Sequence, residues 1–412
     1  MQSKKEFIAE AISSYNSMPA ETNDLYKKYT VDIQLDPASP ETADINACES
    51  RIERLSRAVT DKTKIKFDAI ISEHTTKSFR DNVKIIRAED ADADMLSSKL
   101  FKSNDDKLAA FSNAYSKYFI IVDLPEGKEE SLNLLFINCA CLPVQVMVRT
   151  GSRSKLGMFE LYLSDSDSNG TMSVLHEVRV GKDSRVELDA LHNEGTGSNV
   201  VNLCKSVIAD CGSFSSNFIY AGGSTTKAKS IIDSQGVGSS AEVCELAFGN
   251  SEQKFDLTTY MTNSKPRSHA KLESGAVLDG KAHCILKGFA KVEKGTKGCF
   301  SRITERGILL SRDAHVDALP DMAIDYSNEV KATHSAATSP LDPEHLFYLE
   351  SRGMDEPQAR KTLITSFLAK YISNIGNGVA HEAAMSVMLE KLESGRFGSM
   401  PDMAARGVWI SR

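Results

Sequence analysis

The first residues in this sequence that suggest chemistry are its eight cysteines, Cys48, Cys139, Cys141, Cys204, Cys211, Cys244, Cys284 and Cys299. None belongs to a CxxC pair, the spacing typical of zinc and redox sites. In a chain of 412 residues without an evident secretion signal, we expect reduced thiols, and most of these serve as small buried hydrophobes. Cys284 directly follows His283, so on a strand the two side chains point to opposite faces and only one can serve a shared site.

Two glycine-containing segments resemble nucleotide-binding motifs, but their surroundings argue against both. Gly275–Lys281 reads GAVLDGK, yet Ala282 stands where Ser or Thr would hold magnesium. The residues that follow, CILKGFAKV, favour a strand over the helix whose N-terminus must face the phosphates. Gly236–Ala241 resembles GxGxxA and also leads into a strand-like segment. We therefore expect no bound nucleotide, and any ATP use would belong to a partner.

Three aspartates offer a different chemistry. Asp317, Asp321 and Asp325 recur every four residues, which places them on one face of a strand. Glycosidases need paired carboxylates about 5–10 Å apart on a groove, so a carbohydrate-active β-helix enzyme is one alternative. Aromatic residues, which such enzymes use as sugar platforms, are scarce in this region, and solvated carboxylates on strands are common.

Composition excludes several other classes. The net charge of −7 argues against a nucleic-acid-binding surface, which requires a concentrated basic face. No run of 18 apolar residues occurs, so no membrane span is predicted. The first residues lack the apolar block of a signal peptide and predict an amphipathic helix instead. We therefore expect a cytoplasmic protein.

The elements that would position these residues fall into three regions. Residues 1–105 predict a mostly helical N-terminal domain, and residues 338–412 predict a helical C-terminal domain that begins with the N-cap Asp342 and with Pro343. Residues 106–337 contain short apolar runs separated by turn residues every 10–15 positions, which is typical of a sandwich, barrel or β-solenoid.

A loose repeat within residues 106–337 favours the solenoid. Its members share a turn, a small residue and alternating apolar positions: Gly181–Leu188, Gly238–Leu246, Asp279–Leu286 and Ser311–Leu319. Such units bury their apolar faces by stacking on one another. Because the period is not exact, the pattern alone leaves sandwich and solenoid open.

Two segments resemble the SufB/SufD family, the scaffold proteins of the Suf iron–sulfur cluster assembly system. Ile308–Phe367, which includes KATHSAATSPLDPEHLFYLESRG, follows the family's C-terminal pattern, and Leu108–Gly127 resembles the start of its core. The resemblance extends over roughly Lys107–Ile375. It implies a mainly β protein with a right-handed parallel β-helix core, flanked by helical regions, that acts as a non-catalytic scaffold.

The resemblance also implies a site. In SufD-type members a histidine in the turn corresponding to His334 faces the partner scaffold subunit, so His334 is a candidate ligand for iron or a transient iron–sulfur cluster at a dimer interface. Ile324 stands where SufB-type members have a cysteine, and Ser335 where they have glutamate, so the chain resembles the SufD type. Further candidate ligands are Cys284, Cys299 and Glu305.

The partners follow from the same resemblance. The family's C-terminal helices dock a SufC-type ABC ATPase, and the corresponding candidate residues here are Leu346, Phe347, Tyr348, Arg352, Ile364 and Phe367. The core would pair with a SufB-type paralogue or with a second copy of this chain. A self-sufficient single-copy scaffold of archaeal type remains an alternative, as does a structural adaptor in which His334 has no role.

Overall fold

Two facing sheets of parallel strands form the centre of the molecule. The computed structural model describes residues 4–18, 29–31, 33, 35, 50, 52–57, 59, 65–73, 76–81, 83–92, 95–96, 99–164, 169–325, 330–376 and 378–394. Its strands in chain order are β1 Ala69–Ser72, β2 Thr76–Ser78, β3 Val83–Arg87, β4 Tyr118–Leu124, β5 Glu129–Asn138, β6 Cys141–Thr150, β7 Lys155–Ser164, β8 Thr171–Val180, β9 Arg185–Asn193, β10 Asn199–Ile208, β11 Ser213–Tyr220, β12 Thr225–Ser234, β13 Ser240–Gly249, β14 Lys254–Asn263, β15 His269–Leu278, β16 His283–Val292, β17 Phe300–Leu309, β18 His315–Ile324 and β19 Lys331–Pro340.

The strands alternate between the two sheets. Sheet A has the order β2-β1-β5-β7-β9-β11-β13-β15-β17-β19, and sheet B has the order β3-β4-β6-β8-β10-β12-β14-β16-β18. From β4 onward each strand pairs in parallel with the strand two positions further along the chain. This is a parallel β-solenoid of about seven turns, which confirms the predicted architecture.

The coils stack without any shift in register. Val243, Leu272 and Ile303 lie in neighbouring coils of sheet A at paired positions, and all three belong to the inner core. Such alignment gives every inward position a column of neighbours, as stacking in solenoids requires. Two of the four repeat segments noted in the sequence lead into sheet A and two into sheet B. The mixture of two kinds of turn explains why the repeat is inexact.

The turns recur with the same backbone conformation. Asp183, Cys211 and Ser251 have φ of 52–55°, a left-handed value that glycine adopts at lower cost than other residues. Gly238 and Gly280 adopt the same region at turns that lead into β13 and β16. Gly280 belongs to the GxxxxGK segment, and β16 follows it, so the predicted strand after this segment is confirmed.

The N-terminal region differs from the mostly helical prediction. Its described helices include α1 (Lys4–Ser17), but residues 69–87 contribute three strands to the solenoid. Strand β1 pairs in parallel with β5, and β3 pairs antiparallel with β4. These short strands cover the first coil, where sheet edges would otherwise be exposed. Charged residues such as Lys84 and Arg87 interrupt their apolar pattern, which is why sequence periodicity missed them.

Helices cover both outer faces of the solenoid. Helix α1 and helix α2 (Lys107–Tyr115) lie over sheet B, and the C-terminal helices α3 (Pro343–Ser351), α4 (Glu356–Ile372) and α5 (Gly378–Ser394) follow β19. Asp342 and Asp355 cap α3 and α4 through bonds of 2.9 and 2.8 Å from backbone N–H groups, which confirms the predicted cap at Asp342. None of the helices in the described part of the chain has the length and apolarity needed to cross a bilayer.

Helix α4 packs on sheet A, and one glycine of the sheet allows a close contact. The ring of Tyr371 lies directly over Gly275 of β15, where a β-carbon would approach ring atoms to 2.4 Å. The Tyr371 hydroxyl also donates a hydrogen bond of 3.4 Å to the Ser274 carbonyl. Tyr371 is fully buried, together with Ile364, Leu368 and Ile372 of the same helix. Gly275 is therefore a packing residue rather than part of a phosphate-binding loop.

We predict that Gly275→Val weakens the attachment of α4 to the solenoid. The added side chain must displace the Tyr371 ring, an overpacking that typically costs about 1–3 kcal/mol. Unfolding in urea should show the loss, and limited proteolysis should cut within α4 sooner. Gly157→Val is the matched control, since a β-carbon at Gly157 meets only the Ser131 hydroxyl at 3.9 Å. Equal stability of the two variants would contradict the packing role of Gly275.

Candidate functional site

The last coil of the solenoid is open. Within the described residues, β18 pairs only with β16, and β19 only with β17, so each presents one free edge of ten residues. No residue of β19 is buried, although its partner β17 contributes buried residues to the core. The side chains of β18 are also less buried than those of β16, and the inward-facing Ile324 is 42% exposed. Open edges of this kind are templates for pairing with another chain.

His334 lies in the middle of β19 and not in a turn, which corrects the predicted local structure. It pairs with Ile303, a fully buried inner-core residue, so its side chain shares the inward direction of that column. Within the described residues no further coil covers β19, and His334 is exposed. The inward-facing neighbours on the same strand, Ala332 and Ala336, are small. The side chain of His334 therefore projects beyond its two small neighbours at the end of the solenoid.

Glu305 lies one coil deeper and faces the same interior. It pairs with Ala336 of β19, yet it is fully buried. Its carboxyl oxygens make no well-aligned hydrogen bond within the described part of the chain. Burial raises its pKa to about 8; the Gly288 backbone works against this rise and Glu245 adds to it. A buried, protonated carboxyl group is a poor metal ligand, so its position argues against the predicted role.

The two candidate cysteines are also buried and do not join His334. Cys284 points into the inner core, and burial raises the pKa of its thiol well above the ordinary value. The Cys299 sulfur lies 3.4 Å from the Ser268 hydroxyl and 3.4 Å from the Lys265 carbonyl. Thiolates rather than thiols bind metals, so the raised pKa of Cys284 does not support its predicted ligand role. Cys299 is buried as well, at 1% exposure, and is not open to a metal ion from solvent. His283 points outward, opposite to Cys284, as the strand alternation predicted.

A line of buried polar side chains inside the solenoid was missed at the sequence level. The His176 imidazole lies 2.7 Å from a Glu160 oxygen, and the Tyr162 hydroxyl donates to the same oxygen at 2.6 Å. Further along, Thr259 and Ser274 donate to Glu245 at 2.8 and 3.2 Å. The signal was present, because Glu160 lies in phase with the apolar positions of its strand, where a charged residue is rare.

The C-terminal candidates divide into exposed and buried residues. Phe347 and Tyr348 of α3 are 72% and 56% exposed, and the Arg352 guanidinium lies 5.3 Å from the Tyr348 ring centroid. Leu346 and Phe367 are only partly buried. Ile364 is 3% exposed and packs in the cluster between α4 and sheet A. Its burial does not support the predicted role as a partner contact, because its apolar side chain is already used in packing within this chain.

Comparison with known proteins shows the family of this chain. The family model described as "SUF system FeS cluster assembly, SufBD core domain" matches residues 138–367, more than half of the chain. The chain belongs to the SufBD family.

Individual relatives of this SufBD chain are distant. An iron-sulfur cluster assembly SufBD family protein of Mycobacterium leprae is 26% identical over 42% of this chain and 45% of its own length. The iron-sulfur cluster assembly protein SufD of Bacillus subtilis is 24% identical over 60% of this chain and 57% of its own length. SufD of Escherichia coli is 25% identical over 39% and 38%, respectively. The chain thus spans about half the length of the curated relatives that it matches.

We predict that Glu305→Gln makes the stability of the protein less sensitive to pH. The folded-state pKa of Glu305 is raised from 4.5 to about 8, so the folded chain holds a proton that the unfolded chain releases above about pH 4.5. Stability therefore falls as pH rises through this window, by at most about 1.4 kcal/mol per pH unit. The glutamine variant should gain stability relative to the wild type as pH rises from 5 to 8.

Urea unfolding at several pH values measures this difference. Glu252→Gln is the matched control, because the Glu252 side chain is 82% exposed and lies 3.9 Å from Lys281. Parallel pH profiles for the wild type and Glu305→Gln would contradict the burial argument.

Proposed function

We propose that this chain is a SufD-like scaffold subunit of the Suf iron–sulfur cluster assembly complex. It pairs through its open terminal coil with a SufB-type subunit or with a second copy of itself. The observation that supports this most is the exposure of β18 and β19. A partner strand on these edges would satisfy their backbone groups and cover the inward-facing side chains, including Ile324.

His334 is the residue that we propose to meet the cargo, which is iron or a nascent iron–sulfur cluster. Neutral imidazole is a suitable iron ligand. Three features support this role: His334 is exposed, it faces the proposed partner, and Ala332 and Ala336 leave space beside it. The other ligands would then come from the partner, since Cys284, Cys299 and Glu305 are buried in this chain.

The C-terminal helices are the proposed docking site of a SufC-type ABC ATPase. Exposed aromatic and arginine side chains are typical anchors of protein interfaces, and Phe347, Tyr348 and Arg352 provide them on α3. Only Leu341 and Asp342 separate α3 from β19. A force applied to α3 by ATP-driven movement of the ATPase would therefore act directly on the terminal strand. In this proposal ATP hydrolysis belongs to the partner, and the scaffold itself is non-catalytic.

The alternative of a glycosidase finds less support. Asp317 already accepts hydrogen bonds from two histidines, and Asp325 lies 3.8 Å from Lys291. The alternative of a self-sufficient scaffold stays within the proposal, because a free edge can pair with the same edge of a second copy. The reconstitution below distinguishes the two arrangements.

We predict that a cluster forms only when both members of the scaffold pair are present. The chain would be reconstituted anaerobically with iron and sulfide alone, with its ATPase, and with a SufB-type partner, and iron content and visible absorbance would be read. His334→Ala should reduce cluster yield with the partner, because one ligand is lost. His269→Ala, which removes another exposed histidine of sheet A at the start of β15, should not reduce the yield.

The outcomes separate the alternatives. A stable cluster on this chain alone would indicate a self-sufficient scaffold. If no sample formed a cluster while the ATPase still bound, the structural adaptor would be the remaining hypothesis. That result would contradict a role for His334.

We also predict that Phe347→Ser and Tyr348→Ser weaken binding of the ATPase. Loss of an aromatic anchor at the centre of an interface typically weakens affinity by about 30-fold or more. Isothermal titration calorimetry would measure the dissociation constant. Phe79→Ser is the matched control, since Phe79 is another aromatic side chain that is 59% exposed, but it lies near the N-terminal strands. Unchanged affinity in both α3 variants would exclude this face as the docking site.

A further inference from the structure

Three metal-binding side chains converge on the outer face of sheet B, away from the inward face that carries His334. They are His283 of β16 and His315 and Asp317 of β18. Their ligand atoms all lie within 4.8 Å of one another. The His283 Nε2 is 2.9 Å from Asp317 Oδ2, and the His315 Nε2 is 3.1 Å from Asp317 Oδ1.

The fold itself holds these residues together. His283 and His315 are directly paired in the parallel register of β16 and β18, and their ring centroids are 5.2 Å apart. Asp317 follows His315 by two residues, so it lies on the same face of β18. Neighbouring strands are about 4.8 Å apart. Two strands of a rigid sheet thus fix three donor side chains side by side, with no loop involved.

We propose that His283, His315 and Asp317 form a binding site for a divalent first-row transition-metal ion. Two imidazoles and one carboxylate are the facial triad that non-haem Fe(II) sites use, and the same donors suit Co²⁺ and Zn²⁺. Bonds of about 2.0–2.2 Å to one ion place neighbouring ligand atoms roughly 3 Å apart. The two contacts to Asp317 have this separation. The remaining coordination positions face solvent.

The surroundings allow an ion to reach the site. The side chains of His283, His315 and Asp317 are 34%, 63% and 22% exposed. Lys254 is paired with His283 one coil further in, but it is exposed and its long side chain can extend its ammonium group into solvent. When metal binds, the imidazoles must be neutral, so affinity falls on acidification.

Cobalt binding to the apo protein tests the proposal. Co²⁺ would be added to the anaerobic, metal-free chain, and binding would be followed by visible absorption and by metal content after equilibrium dialysis. The wild type should bind one Co²⁺ with the weak bands of nitrogen and oxygen coordination, and Zn²⁺ should displace it. His315→Ala and Asp317→Asn should each weaken binding at least about 10–100-fold, since even indirect support of a metal ligand is worth that much.

Matched variants distinguish this site from other metal ligands. His269→Ala should bind Co²⁺ as the wild type does, because His269 is an exposed histidine outside the proposed site. Metal should raise the melting temperature of the wild type and of His269→Ala, but not of His315→Ala.

Three results would overturn the proposal. The first is equal Co²⁺ binding by the wild type, His315→Ala and Asp317→Asn. The second is loss of binding in His334→Ala alone. The third is an intense thiolate charge-transfer band, which would assign the metal to a cysteine such as the exposed Cys211.

Discussion

The in-register stacking of parallel coils is the constraint on which the rest of this structure depends. Each inward side chain is buried because another coil lies on either side of it, as the column from Val243 through Leu272 to Ile303 illustrates. The same rule leaves the last coil incomplete. His334 continues this column, but the described part of the chain places no coil beyond it, so a position that is core in earlier turns becomes surface. The candidate site is thus a direct consequence of where the stacking stops.

Stacking also explains how polar side chains are accommodated in the interior of the solenoid. The inward positions are shielded from water. Polar side chains placed there must therefore form hydrogen bonds with other residues of the core or stay neutral. Glu160 meets His176 and Tyr162, and Glu245 meets Thr259 and Ser274. Glu305, at the last covered coil, has no such side-chain partner among the described residues, and burial raises its pKa to about 8. The outward positions follow the opposite rule, so His283 and Asp317 keep access to solvent.

The resemblance to the SufB/SufD family predicted the solenoid, since turns and alternation alone left sandwich and solenoid open. The N-cap at Asp342 could be predicted because capping is a local signal, and it has the predicted bond. The sequence did not predict the strands at residues 69–87, whose pairing is decided by the edge they cover. The burial of Cys284 and Ile364 does not support their predicted roles. Burial depends on which coil or helix lies opposite, and no local pattern contains that information.

Amide hydrogen exchange of β18 and β19 tests the central claim most directly. It would be measured on the chain alone and on its stable complex with a SufB-type partner, or at raised concentration if the chain pairs with itself. The account predicts that amides of Lys331–Pro340 and His315–Ile324 exchange quickly in the single chain and become protected on pairing. A stable complex in which these strands gain no protection, while another surface does, would contradict the proposal that the open coil is the pairing surface.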